Sequence, residues 1–105
     1  MKKSPPPLTP DSQRQLIELG LRLRLARDRR KLGTELFAKQ LGVSRETLRR
    51  LEKGDASIAM GTFLRALRVL GLEQDIDRLA ADDEMGRKLQ DLELRGSKKP
   101  KGATA

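Results

Sequence analysis

LGVSRETLRRLEKG, Leu41 to Gly54, places four cations and two acids in a run of helical spacing directly behind a glycine. Gly42 is free to adopt a positive φ and turn the chain. Ser44 can accept a hydrogen bond from the first turn of a following helix. Leu48 and Leu51 lie three residues apart, on one side of a helix with 3.6 residues per turn. The reading is a helix over Arg45 to Lys53, with Leu48, Leu51 and part of Thr47 turned inward and Gly54 as its stop. Arg45, Glu46, Arg49, Arg50 and Lys53 remain outside. One basic helix is by itself most simply a solvated face; the residues around it decide whether it is more.

Upstream, Thr34 can cap a helix over Glu35 to Leu41, with Leu36, Phe37, Ala38 and Leu41 inward. Before that, Leu16, Ile17, Leu21, Leu25 and Leu32 recur at spacings that predict a helix from Gln13 to about Lys31. Asp11 or Ser12 can cap it, and Gly33 can end it. Arg22, Arg24, Arg29 and Arg30 lie off its apolar stripe.

Downstream, Asp55 to Met60 reads as a loop. GTFLRALRVL, from Gly61 to Leu70, reads as a fourth helix buried through Phe63, Leu64, Leu67 and Leu70, closed by Gly71. A short fifth helix is expected over Asp75 to Ala81 through Ile76, Leu79 and Ala80. Residues 82–96, DDEMGRKLQDLELRG, form an amphipathic segment in which Met85, Leu89, Leu92 and Leu94 are weakly periodic. The proline-rich stretch 1–11 and the basic stretch 97–105 have the composition of disordered arms. With no strand pattern and no internal repeat, the expected class is all-α. It is a single five-helix domain at 12–81 between flexible tails.

The chain has 23 Lys+Arg against 15 Asp+Glu, a formal charge of +8 and a pI near 10.4. That balance favours a polyanionic partner. The excess sits mostly on residues 12–80, where 15 − 9 = +6, rather than on 81–105, where 6 − 5 = +1. Cys and His are both absent, so a thiol nucleophile, a Cys or His metal site and a His general base are excluded. Asp11, Asp28, Asp55, Asp75 and Asp77 fall in capping, loop or surface contexts, and no Gly-rich phosphate loop is present. No enzyme, no metal and no cofactor is expected. The lack of disulfides suits a reducing cytoplasm. The two aromatics, Phe37 and Phe63, are too few for a single-strand stacking platform. No apolar run is long enough for a bilayer, and MKKSPPPL does not read as a secretory signal.

Two short helices joined at Gly42 make a helix-turn-helix when the second projects its polar face outward. The leading residues of such a helix can reach base edges in a major groove. Arg pairs bidentately with guanine, and Glu accepts from cytosine N4. Arg45, Glu46, Arg49 and Arg50 are therefore the candidate base readers. The helix starts at Thr34 and Ser44 can present N–H groups to phosphate, and Thr47, Lys53 and Ser57 are further candidate phosphate contacts.

From Leu36 to Gly54 the residues Ala38, Gly42, Val43, Ser44, Thr47, Leu48, Leu51, Glu52 and Gly54 resemble the Xre/Cro family of helix-turn-helix regulators. The resemblance extends over about Leu16 to Leu79. It implies a partly buried structural pair between Arg27 on the first helix and Glu52 at the end of the third. Thr34 stands where that family often has Gln, and is short enough to reach only a phosphate. SIAMGTFLRALRVLGL, Ser57 to Leu72, resembles the HipB-like antitoxins. That implies a homodimer on a palindromic double-stranded operator of its own operon, a kinase-like toxin as partner, and a bacterial cytoplasmic setting. A stand-alone Xre-type or phage-type regulator is the alternative. The HipB-like proteins often end in a strand that pairs across the dimer, whereas this chain reads as helical after Gly71. Leu67, Leu70, Leu72 and Ile76 are the candidates for helix packing between copies, or else are ordinary core.

Overall fold

The computed structural model describes residues 5–96; the basic stretch expected at 97–105 and residues 1–4 of the N-terminal arm lie outside them. The described residues are helical, without a strand: α1 Pro10–Arg29, α2 Thr34–Leu41, α3 Arg45–Glu52, α4 Met60–Leu70, a 3-10 segment Glu73–Arg78, and α5 Glu84–Gly96. The chain divides into two compact units, the first ending at Asp75 and the second beginning at Ile76.

In the first unit, α1 begins earlier than the proline content suggests. Thr9 is its cap, its Oγ1 accepting from the Ser12 N–H at 3.1 Å, so neither Asp11 nor Ser12 caps the helix, and Pro10 and Asp11 of the expected arm are helical. Pro10 sits at the first helical position, where its missing N–H has no intrahelical partner to lose.

All four helices of this unit end alike. Past the last turn one residue turns left-handed, its N–H returns three residues back, and the next N–H returns five back, as in Leu32 to the Arg27 carbonyl and Val43 to the Ala38 carbonyl. The left-handed residues are Lys31, Gly42, Gly54 and Gly71. Three are the glycines expected there. In α1, Lys31 at φ 57° takes the position and Gly33, at φ −72°, becomes the N-cap of α2. Thr34 is accordingly the first residue of α2 and not its cap.

Helix α1 packs on α3 and α4, and α2 packs on α3 and α4. The core is Leu23 and Ala26 from α1, Phe37, Ala38 and Leu41 from α2, Leu48 and Leu51 from α3, and Ala66, Leu67 and Leu70 from α4. The buried face of α1 is Gly20, Leu23, Ala26 and Arg27, with Leu16 and Leu19 half-buried. The expected stripe is displaced: Ile17, Leu21 and Leu25 are 55%, 50% and 40% exposed. Small Gly20 lies on the packed side with Leu23, because α1 and α3 approach almost backbone to backbone there. A Cβ on Gly20 would lie 2.5 Å from the Glu52 carbonyl oxygen and 2.9 Å from that of Leu51. In α4, Thr62 and Ala66 are buried while Leu64 is exposed and Phe63 half-buried, and Leu36 of α2 faces out. Leu67 and Leu70 belong to the core and offer nothing to a second copy; Leu72 and Ile76 are half-buried.

The expected fifth helix over Asp75 to Ala81 is a 3-10 segment instead, Glu73–Arg78. Its hydrogen bonds run three residues back, as from the Asp75 N–H to the Leu72 carbonyl, and Ala80 at φ 57° precludes continuation. In the second unit the amphipathic segment forms α5. Asp83 accepts from the Gly86 N–H at 2.9 Å and so caps the start of that helix. Among the described residues, no helix is long and apolar enough to cross a membrane.

Candidate nucleic-acid interface

Helix α3 starts at a side-chain cap: Ser44 Oγ accepts from the Thr47 N–H at 3.0 Å and donates to Thr47 Oγ1 at 3.1 Å. The other N–H groups of that first turn have no intrahelical partner, and they carry the positive end of the helix dipole. Leu48 and Leu51 anchor the opposite side in the core, so Arg45, Glu46, Arg49 and Lys53 stand in solvent.

These four side chains line an open cleft of about 770 Å³ together with Arg24, Arg27, Thr34 and Glu52. Five cations against two acids make it strongly positive. On its rim, Arg49 donates to Glu46 through Nη2 at 2.8 Å and Nε at 3.1 Å. The Arg49 hydrogen bond holds the Glu46 carboxyl below its ordinary pKa, and in return raises that of Arg49. Both side chains are well exposed, so the pair is screened by salt and opens readily.

At the base of the cleft Arg27 grips Glu52 at two points, Nε to Oε2 at 2.7 Å and Nη2 to Oε1 at 3.1 Å. Its third nitrogen, Nη1, donates to the Leu32 carbonyl at 2.8 Å. Each side chain is only 8% exposed. The hydrogen bond to Glu52 raises the Arg27 pKa against the opposing effect of burial. The pair ties α1, the α1–α2 connection and the last turn of α3 into one rigid base.

Of the residues singled out by sequence, Thr34, Arg45, Glu46, Arg49 and Lys53 meet at this cleft, with Arg27 and Glu52 beneath. Arg50 and Ser57 sit apart. Arg50 donates through Nε to Asp55 at 2.7 Å and through Nη2 to Ser57 Oγ at 2.7 Å. Asp55 in turn accepts from the Ser57 N–H and hydroxyl, which with Arg50 lower its pKa to about 2. Arg50 is thus engaged in shaping the loop after α3. Arg24 is the cleft residue that sequence reading left without a role. It precedes Arg27 by three residues, so once Arg27 is placed under α3 the same helical face carries Arg24 to the cleft.

A short helix behind a left-handed glycine, packed on a second short helix with its cations outward, is the helix-turn-helix of DNA-binding regulators. The chain belongs to that class by family as well: residues 18–80, more than half of its length, match the family described as a helix-turn-helix domain. Comparison with curated proteins and with solved structures found no significant match.

Proposed function

We propose that the protein is a sequence-specific transcriptional repressor that lays α3 in the major groove of a palindromic operator and binds it as a homodimer. The observation that carries this reading is the cleft. The outward side chains of α3 form one wall, Arg24 and Thr34 the other, and the buried Arg27–Glu52 pair fixes the angle between them. Arg45 and Arg49 are assigned to guanine edges, and Glu46 to cytosine N4 or to steering Arg49. Thr34, Ser44, Thr47 and Lys53 are assigned to phosphates, with Arg24 added. Ser57 joins them through the loop that Arg50 and Asp55 hold in shape. One such helix reads few base pairs, and a two-fold pair doubles the contact on half-sites a helical turn apart.

The finer reading is an antitoxin that represses its own operon and holds a kinase-like toxin; it rests on the resemblance of SIAMGTFLRALRVLGL. A stand-alone regulator is favoured by one feature, the helical α5 where the antitoxin resemblance leads to a strand. A competition gel shift with the DNA upstream of the protein's own gene tests the common part. A discrete complex that survives unrelated competitor supports the repressor; a smear abolished by competitor contradicts it. Co-purification with the product of an adjacent gene separates the antitoxin from the stand-alone regulator.

A further inference from the structure

Helix α5 holds an apolar stripe with no use inside its own unit. Met85, Leu89 and Leu92 follow one another at spacings of four and three, and all three are exposed. Its 13 residues include none that is buried. A helix of that length is marginal in water unless its apolar face packs on something.

The spacing is that of a coiled-coil seam: Met85 at d, Leu89 at a, Leu92 at d. In this register Lys88 and Arg95 fall at g, and Gly86 and Glu93 at e. In a parallel pair each g residue faces the e residue five positions further along the other helix, so Lys88 meets Glu93 of the second copy, twice by symmetry. In an antiparallel pair g faces g, which sets Lys88 against Arg95 of the second copy. The flanking charges therefore choose both the occupant and its direction. Lys88 is 3.7 Å from Glu84 on its own helix, in an exposed pair that leaves it free to turn.

We propose that α5 is a self-association helix: two copies of the chain pair in parallel along Met85, Leu89 and Leu92, with Lys88 of each facing Glu93 of the other. At 1.5 Å per residue the seam is about 20 Å long, too short to bury the roughly 1,000 Å² of a stable interface. The association is consequently weak in free solution. It becomes populated when two copies are held side by side, as adjacent half-sites would hold them. The inference adds a contact to the operator reading but is tested without DNA, so either can fail alone.

The chain has no cysteine, so an introduced one reports on its own position. Leu89→Cys in the full chain, in a glutathione redox buffer without DNA, places two thiols across the seam at an a layer. Gln90→Cys places them on the outer side. The expected result is disulfide-linked dimer forming several-fold faster for L89C than for Q90C, because bridging needs the two backbones within about 7 Å. Adding Lys88→Glu should slow L89C cross-linking, and adding Glu93→Lys as well should restore it. Loss of the Glu84–Lys88 pair alone would not be restored in that way. Equal rates for L89C and Q90C, or indifference to Lys88→Glu, would overturn the proposal. Preferential linkage of L89C to Leu92→Cys chains would overturn the parallel direction.

Discussion

Arg27 and Glu52 form a two-point ion pair, 2.7 and 3.1 Å, between the last turn of α1 and the last residue of α3. Both side chains are nearly removed from solvent, so neither can lose its partner without leaving a buried charge. The pair is the joint on which the outward face of α3 is set, and its failure should be seen first in stability. Arg27→Ala and Glu52→Ala should each lower unfolding free energy by about 3–5 kcal/mol. The double change R27A/E52A should cost less than the sum of the two. Urea denaturation followed by circular dichroism gives these values; an unchanged midpoint in R27A would mean that the pair holds nothing.

Directly beside this joint, Gly20 lets α1 lie against the α3 backbone. Gly20→Ala should raise intrinsic helix propensity and yet destabilise the protein by about 1–3 kcal/mol, because the added methyl has no room beneath the Glu52 carbonyl. A thermal melt of G20A at or above the parent temperature would show that the two helices separate without cost.

Asp55 carries the acid dependence of the loop. Its folded-state pKa is about 2 against an ordinary 3.8, so its ionised form is favoured by folding. That contribution is complete above 3.8 and is lost as pH falls towards 2. Asp55→Asn should remove this part of the acid destabilisation, leaving a shallower fall in the urea midpoint over that window. Parallel curves for D55N and the parent would contradict the assignment.

Cleft residues should divide by role. Arg24→Ala and Lys53→Ala should weaken binding evenly across sequences and reduce the salt slope by roughly one each, as lost phosphate contacts do. Arg50→Ala should act differently, loosening the loop at Asp55 and Ser57 and leaving the base preference of the complex as it was. A shift of base preference in R50A, measured by selection from a randomised site, would return Arg50 to the reading face.

The α2–turn–α3 unit was legible because its positions demand particular chemistry at short range. A glycine had to turn left-handed, a serine had to cap, and two leucines three apart had to enter the core. The α1 face was not legible, since six leucines and an isoleucine between Leu16 and Leu32 allow more than one stripe. What marks the real one is the small Gly20, whose value appears only when α3 is laid across it. Lys31 in the left-handed position carries no sequence mark, so Gly33 drew the helix end two residues too far. Periodicity placed Arg50 outside the core but says nothing of a loop that folds back to meet it. The role of Arg24 depended on the crossing of α1 and α3 in the same way.

Whether the outer face of α3 reads sequence is decided by fluorescence anisotropy. The DNA upstream of the protein's own gene and a shuffled copy of it are titrated with the parent and with Arg45→Ala and Arg49→Ala. The parent should prefer its own sequence, and each variant should lose about 1–3 kcal/mol of that preference while its melting temperature stays unchanged. Full preference retained in both variants would mean that the cleft does not read the operator.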